Sequence, residues 1–240
     1  MALETTQAIV LSSIKYGDSS LIVRCFTESS GLKTYMIRGV LKAKKGKIKT
    51  AYFQPITQLL ITGNHNNKGN LNSIKEVHVV NPYKTIYTSI VKQTIVLFLS
   101  EVLSGIIKEE EENIQLYNYL ETAFIWLDTH TDISNFHLLF LLNLSKYLGF
   151  YPDTSEQDKL GFNLLEGNFT NSIHEKLIIS GEELILFKRL LGINFDAIEN
   201  VSFSKFERQK VLRMIIRYFE LHLDGFRQPK SLDVLETVFS

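Results

Sequence analysis

The 240-residue chain predicts an α+β protein, with a small closed β-barrel first and a helical domain after it. Three observations carry this. Residues 1–80 break into five short runs rich in Val, Ile, Leu and Phe, set apart by turn residues. At Asn81-Pro82 the apolar period changes from that of strands to that of helices. The charge changes there too: residues 1–80 carry 11 basic and 4 acidic side chains, and the remaining 160 carry 15 and 22.

The runs come in order. Residues 8–14 and 20–27 are apolar and β-branched, with Tyr16-Gly17-Asp18 as the turn between them and Ser29-Ser30-Gly31 ending the second. Residues 33–40 alternate along both faces, as expected of a barrel strand with a partly exposed outer surface. A basic loop separates this run from a fourth at 53–62, which includes Pro55. Residues 63–69 form a polar loop, and 71–80 make a fifth strand. The best-known barrel of five short strands is the OB-fold, which binds oligonucleotides.

Beyond the boundary, helical spacing covers 83–108, with Ile86, Ile90, Ile95, Leu99, Val102 and Ile106 on a wide apolar face. The acidic run 109–112 reads as a solvated connector. Helices follow at 113–129 and 134–148. Residues 149–172, with Gly149, Pro152, Gly161 and Gly167, read as irregular with a hairpin. A helix at 180–191 opens with Ser180 and Glu183 in capping-box spacing. The long helix 202–224 turns Phe206, Leu212, Ile215, Ile216, Phe219 and Leu223 toward a core. Gly225 stops it, and a last helix covers 231–239. The domains expected are 1–80 and 81–240.

Composition and motifs narrow the function. Hydrophobic residues at 45% and charged residues at 22% are the balance of a folded globular chain. Cys25 is the single cysteine and can neither form an internal disulfide nor build a thiolate cluster. The six histidines show no metal-ligand spacing, and no phosphate-loop or dinucleotide-binding glycine motif occurs. Glu182-Glu183 sits at a helix start, where the helix dipole accounts for it. No catalytic constellation emerges, so the expectation is a non-enzyme without cofactor or metal. The N-terminus lacks the regions of a secretory signal. The most apolar stretch, 136–150, is interrupted by Asn143 and Lys146 and is too short for a bilayer. A soluble cytoplasmic protein is expected.

The charge points to a polyanion. Residues 29–75 are 47 residues without one Asp or Glu, and nine of them are Lys or Arg. Positive charge spread this way suits a phosphate backbone better than one small anion. In Lys42-Ala43-Lys44-Lys45-Gly46-Lys47-Ile48-Lys49 the lysines are spaced to follow successive phosphates. Tyr35, Tyr52 and Phe53 flank this loop, and aromatics beside a cationic groove bind single strands by stacking. Core packing is expected for Phe53; for Tyr35 and Tyr52 the pattern leaves core and surface both open. The candidate nucleic-acid residues are Lys33, Tyr35, Arg38, Lys42, Lys44, Lys45, Lys47, Lys49 and Tyr52. In the helical half, Lys210, Arg213 and Arg217 share a face. Such a row is ordinarily a solvated stripe; otherwise it extends the DNA path or attracts an acidic peptide.

Three segments together resemble the RecO family of bacterial recombination mediators. Ala8-Ile9-Val10-Leu11, Tyr16-Gly17-Asp18-Ser19-Ser20, Phe26-Thr27-Glu28-Ser29-Ser30-Gly31 and Arg38-Gly39-Val40 look like its N-terminal barrel. Leu148-Gly149-Phe150-Tyr151-Pro152-Asp153 is similar to its central motif. Leu221-His222-Leu223-Asp224-Gly225-Phe226, with Lys230-Ser231-Leu232 and Val234-Leu235, is similar to its C-terminal segment. The resemblance implies an N-terminal OB-fold, an all-helical C-terminal domain with a small hairpin insertion, and non-enzymatic DNA repair in the bacterial cytoplasm at the nucleoid. It implies binding of single- and double-stranded DNA, and annealing of strands coated by single-strand binding protein. It also implies assistance, with RecR, to RecA loading. The acidic C-terminal tail of single-strand binding protein, ending in an apolar residue, is the implied peptide partner. Its seat is expected where an apolar helix face meets a cation: Lys92, Lys146, or Arg213 with Arg217. Many members carry a cysteine-rich zinc finger after the central motif. Here that segment, Thr154-Ser155-Glu156-Gln157-Asp158-Lys159-Leu160-Gly161, has no cysteine, so a hairpin without metal is expected. Two other classes remain open: an RNA-binding OB protein, and an adaptor that binds protein alone. Competition between RNA and DNA separates the first, and salt-sensitive DNA binding the second.

Overall fold

Fifteen residues of extended chain open the structure. In the computed structural model, which describes residues 2–43, 48–65 and 71–239, β1 (Ala2–Tyr16) pairs with two partners. Its first half pairs with β4 (Gln58–His65) and its second with β2 (Ser20–Thr27). A bulge at Leu11, between the pairs Val10↔Cys25 and Ser12↔Arg24, bends it between them. With β3 (Gly31–Ile37) and β5 (Ser73–Val79), the antiparallel order is β3-β2-β1-β4-β5. The outer strands then meet. Asn72 pairs in parallel with Tyr35, donating its N–H to Thr34 O and accepting from Met36 N, both at 2.9 Å. This bridge closes an OB-type barrel around Val10, Val23, Cys25, Tyr35, Leu59 and Ile61. The fourth strand starts later than the apolar run implied. Residues 50–53 make a 3-10 turn, Pro55 has no N–H to give, and Ile56 takes a left-handed φ of 69°.

The first of two compact units comprises residues 1–129 and 229–231. It includes α1 (Ile90–Ile106) and α2 (Ile114–Thr129). Arg24 donates to the carbonyls of Ser104 (3.1 Å) and Ile107 (3.3 Å) at the end of α1, and Phe26 packs against Tyr117. The helix expected from residue 83 begins only at Ile90, because the preceding turns are held from elsewhere. The Asp128 carboxylate accepts the backbone N–H groups of Lys84 (2.9 Å), Thr85 (2.8 Å) and Ile86 (2.9 Å). Burial pulls the Asp128 pKa upward, but these donors outweigh it and hold the group below its ordinary range.

The second unit comprises residues 130–228 and 232–240. It contains α3 (Phe136–Tyr147), α4 (Gly181–Lys188), α5 (Lys205–His222), α6 (Leu232–Val238) and a three-stranded sheet. The expected hairpin is β6 (Gly161–Asn163) with β7 (Asn168–Thr170). A third strand, β8 (Ile178–Ser180), pairs with the other edge of β6 and had no clear sequence signal. The residues do not fit the zinc site that the resemblance carries in other members. Residues 154–161 hold no thiol, and among the described residues no group of three His, Cys, Asp or Glu is placed to hold a metal. Aromatic packing organises the region: Phe162 meets Phe169 at 5.1 Å and Phe187 at 5.0 Å, and Phe150 stacks on His222 at 5.2 Å.

Two helix expectations are corrected. Ser180 makes no side-chain cap; the capping box is Ser204 with Glu207, at the start of α5. Phe206 is 78% exposed rather than core. Six residues before Leu212, it is rotated about 120° from the stripe of Leu212, Ile215, Ile216 and Phe219.

Candidate nucleic-acid interface

Two clefts lie beside the bridge at Asn72, and Ile48 lines both. One, of about 550 Å³, lies between Met36, Ile37 and Arg38 on one side and residues 71–74 on the other. The second, of about 430 Å³, lies between Tyr52 and residues 75–78. Ile37, Ile48, Ile74, Val77 and Tyr52 give the linings apolar and aromatic surface, and Arg38 in the first and Lys75 in the second give them positive charge. Arg38, Lys42, Lys49 and Lys75 are exposed, and Tyr52 is half-buried. Lys42 follows the turn in which its N–H donates to Gly39 O, and Lys49 accepts the Tyr52 N–H at 3.1 Å. Glu76 is the one acidic residue in either lining.

Lys75 and His78 belong to this site and were not singled out by the sequence. Lys75 is delivered by a bulge. The ladder pairs Thr62 with Glu76 and Gly63 with Ile74, leaving Lys75 as the extra residue. Strict alternation with buried Val77 would turn Lys75 inward; the bulge turns it out. A flat 7-residue pattern gives no sign of this.

Two expected nucleic-acid residues are corrected. Tyr35 is 0% exposed and its hydroxyl lies 2.7 Å from His65 Nε2, while His65 Nδ1 lies 2.8 Å from Glu4 Oε2. A carboxylate only accepts, so Nδ1 donates to Glu4, and the Tyr35 hydroxyl meets Nε2 as the other partner. Burial pushes the Tyr35 phenol well above its usual range. Hydrogen bonding from Ser29 outweighs burial and holds the Glu4 carboxyl below its own. Lys33 is 5% exposed, and its ammonium lies 3.1 Å from Glu110 Oε2. Both side chains point inward because their parity on β3 matches that of core residue Ile37. Lys44, Lys45 and Lys47 lie outside the described residues.

The candidate peptide cations separate as well. Lys92 is buried, donating to Thr85 Oγ1 (2.6 Å) and to the Asp128 carbonyl (2.9 Å), and is an internal strut. Arg213 makes a two-pronged pair with Glu236 (2.9 Å each), and Arg217 pairs with Glu220 (3.0 Å). They share a 420 Å³ cleft with Ile216 and three carboxylates, Glu220, Asp233 and Glu236. Lys146 is exposed, its ammonium 4.5 Å from the Tyr151 ring centre.

Among the described residues no helix is long and apolar enough to cross a membrane. Residues 1–83 match the family model for the N-terminal part of recombination protein O, and residues 87–233 match that for its C-terminal part. Proteins named DNA repair protein RecO are similar over nearly their whole length. That of Flavobacterium johnsoniae is 51% identical, with 98% of each chain covered. That of Christiangramia forsetii is 45% identical, again over 98% of each. That of Bacteroides fragilis is 35% identical over 99% of each. A basic OB-type barrel, a helical unit and full-length similarity converge on one assignment: the chain belongs to the RecO family of DNA repair proteins.

Proposed function

We propose that the paired clefts on the barrel bind the sugar-phosphate backbone of DNA, and that the protein acts as a non-enzymatic recombination mediator. The observation that carries this is the placement of Arg38 in one cleft and of Lys75 with Tyr52 in the other, with exposed Lys49 next to Ile48, which lines both, and exposed Lys42 in the turn after β3. These cations neutralise phosphates while the apolar and aromatic linings offer a face for unpaired bases. Strands neutralised in this way approach one another, so annealing of complementary strands coated by single-strand binding protein follows without a catalytic group. Loading of RecA, with RecR, in the bacterial cytoplasm at the nucleoid completes the reading. The tail of single-strand binding protein is assigned to the surface around Lys146. The Arg213–Arg217 cleft carries more carboxylates than guanidinium groups and repels an acidic peptide.

The test is strand annealing on coated complementary oligonucleotides, with the Arg38→Ala, Lys42→Ala, Lys49→Ala, Lys75→Ala variant beside wild type. Annealing should fall at least about tenfold. The log–log salt slope for single strands should flatten by roughly 3, from about 0.7 per phosphate contact. A variant that anneals and titrates like wild type refutes the assignment.

A further inference from the structure

The acidic connector between α1 and α2 is seated on the barrel. Along the edge of β3 that faces away from β2, Thr34 and Met36 are bonded to Asn72, but Leu32 donates its N–H to Glu109 O at 2.9 Å. The neighbouring residue is shaped for this contact. Gly31 has a φ of +60°, and a Cβ there would lie 2.7 Å from Glu111 N and 2.8 Å from Glu109 O. Glu110 pairs with the otherwise buried Lys33. The side chains of Glu109, Glu111 and Glu112 remain exposed. One seam thus carries opposite charge at its two ends. The acidic run sits at Leu32, and the basic groove opens past Met36, about 13 Å further along the strand.

We infer that this acidic connector is an electrostatic stop. It bars a bound single strand from continuing along β3 past Asn72 and turns it across β5 toward Lys75 and His78. This rests on the groove being the DNA site. The connector's carboxylates repel phosphates where the seam would otherwise offer Lys33 and a continuous edge, and Glu110 occupies Lys33 as a phosphate would. The consequence is a short binding track whose length is set by the protein.

The experiment measures affinity of the full chain for oligothymidylates of increasing length at low and moderate salt. The variant is Glu109→Gln, Glu111→Gln, Glu112→Gln, which keeps the Lys33–Glu110 pair and so keeps the fold. A control of equal charge change is Asp158→Asn, Glu166→Gln, Glu175→Gln. Wild type and control should reach maximal affinity at the same short length. The connector variant should go on gaining affinity with longer strands, end at least about threefold tighter at low salt, and show a salt slope steeper by roughly 0.7 or more. An unchanged plateau length in the connector variant overturns the proposal, as does the same tightening in the control. If the four-cation groove variant keeps the wild-type plateau and slope, the groove reading itself fails and the stop falls with it.

Discussion

Tyr35 and Tyr52 are two tyrosines in one basic segment with opposite surroundings, one enclosed and one at a cleft. Tyr35 is enclosed and must bond within the protein, so His65 and Glu4 complete a chain of donors and acceptors beneath it. Tyr52 stands at the cleft wall, where its ring meets solvent. Tyr35→Phe is therefore expected to cost about 1 kcal/mol of folding stability, the net value of one hydrogen bond, and to leave DNA affinity and salt slope unchanged. Tyr52→Ala is expected to weaken single-strand binding by about 1–3 kcal/mol per stacked base at an unchanged slope, since no charge is removed. Fluorescence titration beside thermal melting separates the two. A Tyr52→Ala protein with wild-type affinity removes the stacking role. His137 adds a third case. It is buried, and burial together with the nearby Arg208 guanidinium holds its pKa down to about 3, against 6.5 when exposed. The unfolded chain gains this proton first, so the stabilisation is intact above about pH 6.5 and declines as pH falls from there toward 3. The decline is at most about 1.4 kcal/mol per pH unit. His137→Gln should flatten the loss of denaturation free energy between pH 6.5 and 4.5; an equal loss in wild type and variant contradicts this.

At the scale of elements, the Asp128 clamp decides where α1 begins. Removing the carboxylate leaves three backbone N–H groups without their acceptor, so Asp128→Ala should cost about 2–4 kcal/mol and lower the melting temperature by several degrees. A melting point within a degree of wild type would show the turn to be self-sufficient. The same clamp explains what could be read in advance. The strand at 20–27 and the helices around 114–129 and 136–147 follow from local apolar period, which their own residues fix. The start of α1 depends on a residue some forty positions away, and no local pattern encodes it. Alternation on β3 showed that Lys33, Tyr35 and Ile37 share a face, but not that this face closes inward. The positive charge was legible; its geometry was not, because Lys75 reaches the groove through a bulge. The three-stranded sheet belongs here too. With Phe162 between Phe169 and Phe187, apolar packing carries it. Chelation should leave the melting temperature unchanged, while Phe162→Ala should cost about 3–5 kcal/mol. Zinc found by elemental analysis, with melting lowered by a chelator, would contradict this account.

At the scale of the molecule, charge is divided as the sequence divides it, but the division is finer than two halves. The acidic connector belongs to the second half by position and to the barrel by contact. The signature segments 148–153 and 221–226 also gain a physical meaning. They meet where Phe150 stacks on His222 and accepts the Tyr218 hydroxyl at its carbonyl, 2.8 Å away. The segments that resemble the family thus brace the three-stranded sheet within the second unit. One feature of the barrel sets its dynamics as well. β2 and β4 join β1 through full ladders, whereas among the described residues the bridge between β3 and the chain entering β5 is at Asn72, with two backbone hydrogen bonds and one from its side chain to Thr34 O. The line along which the barrel closes is its easiest line of local opening, so the amides of Met36 and Asn72 should exchange with deuterium sooner than those in the middle of β1. The groove lies on that same line, and a strand of DNA lodged in it would stitch the two edges together and slow that exchange.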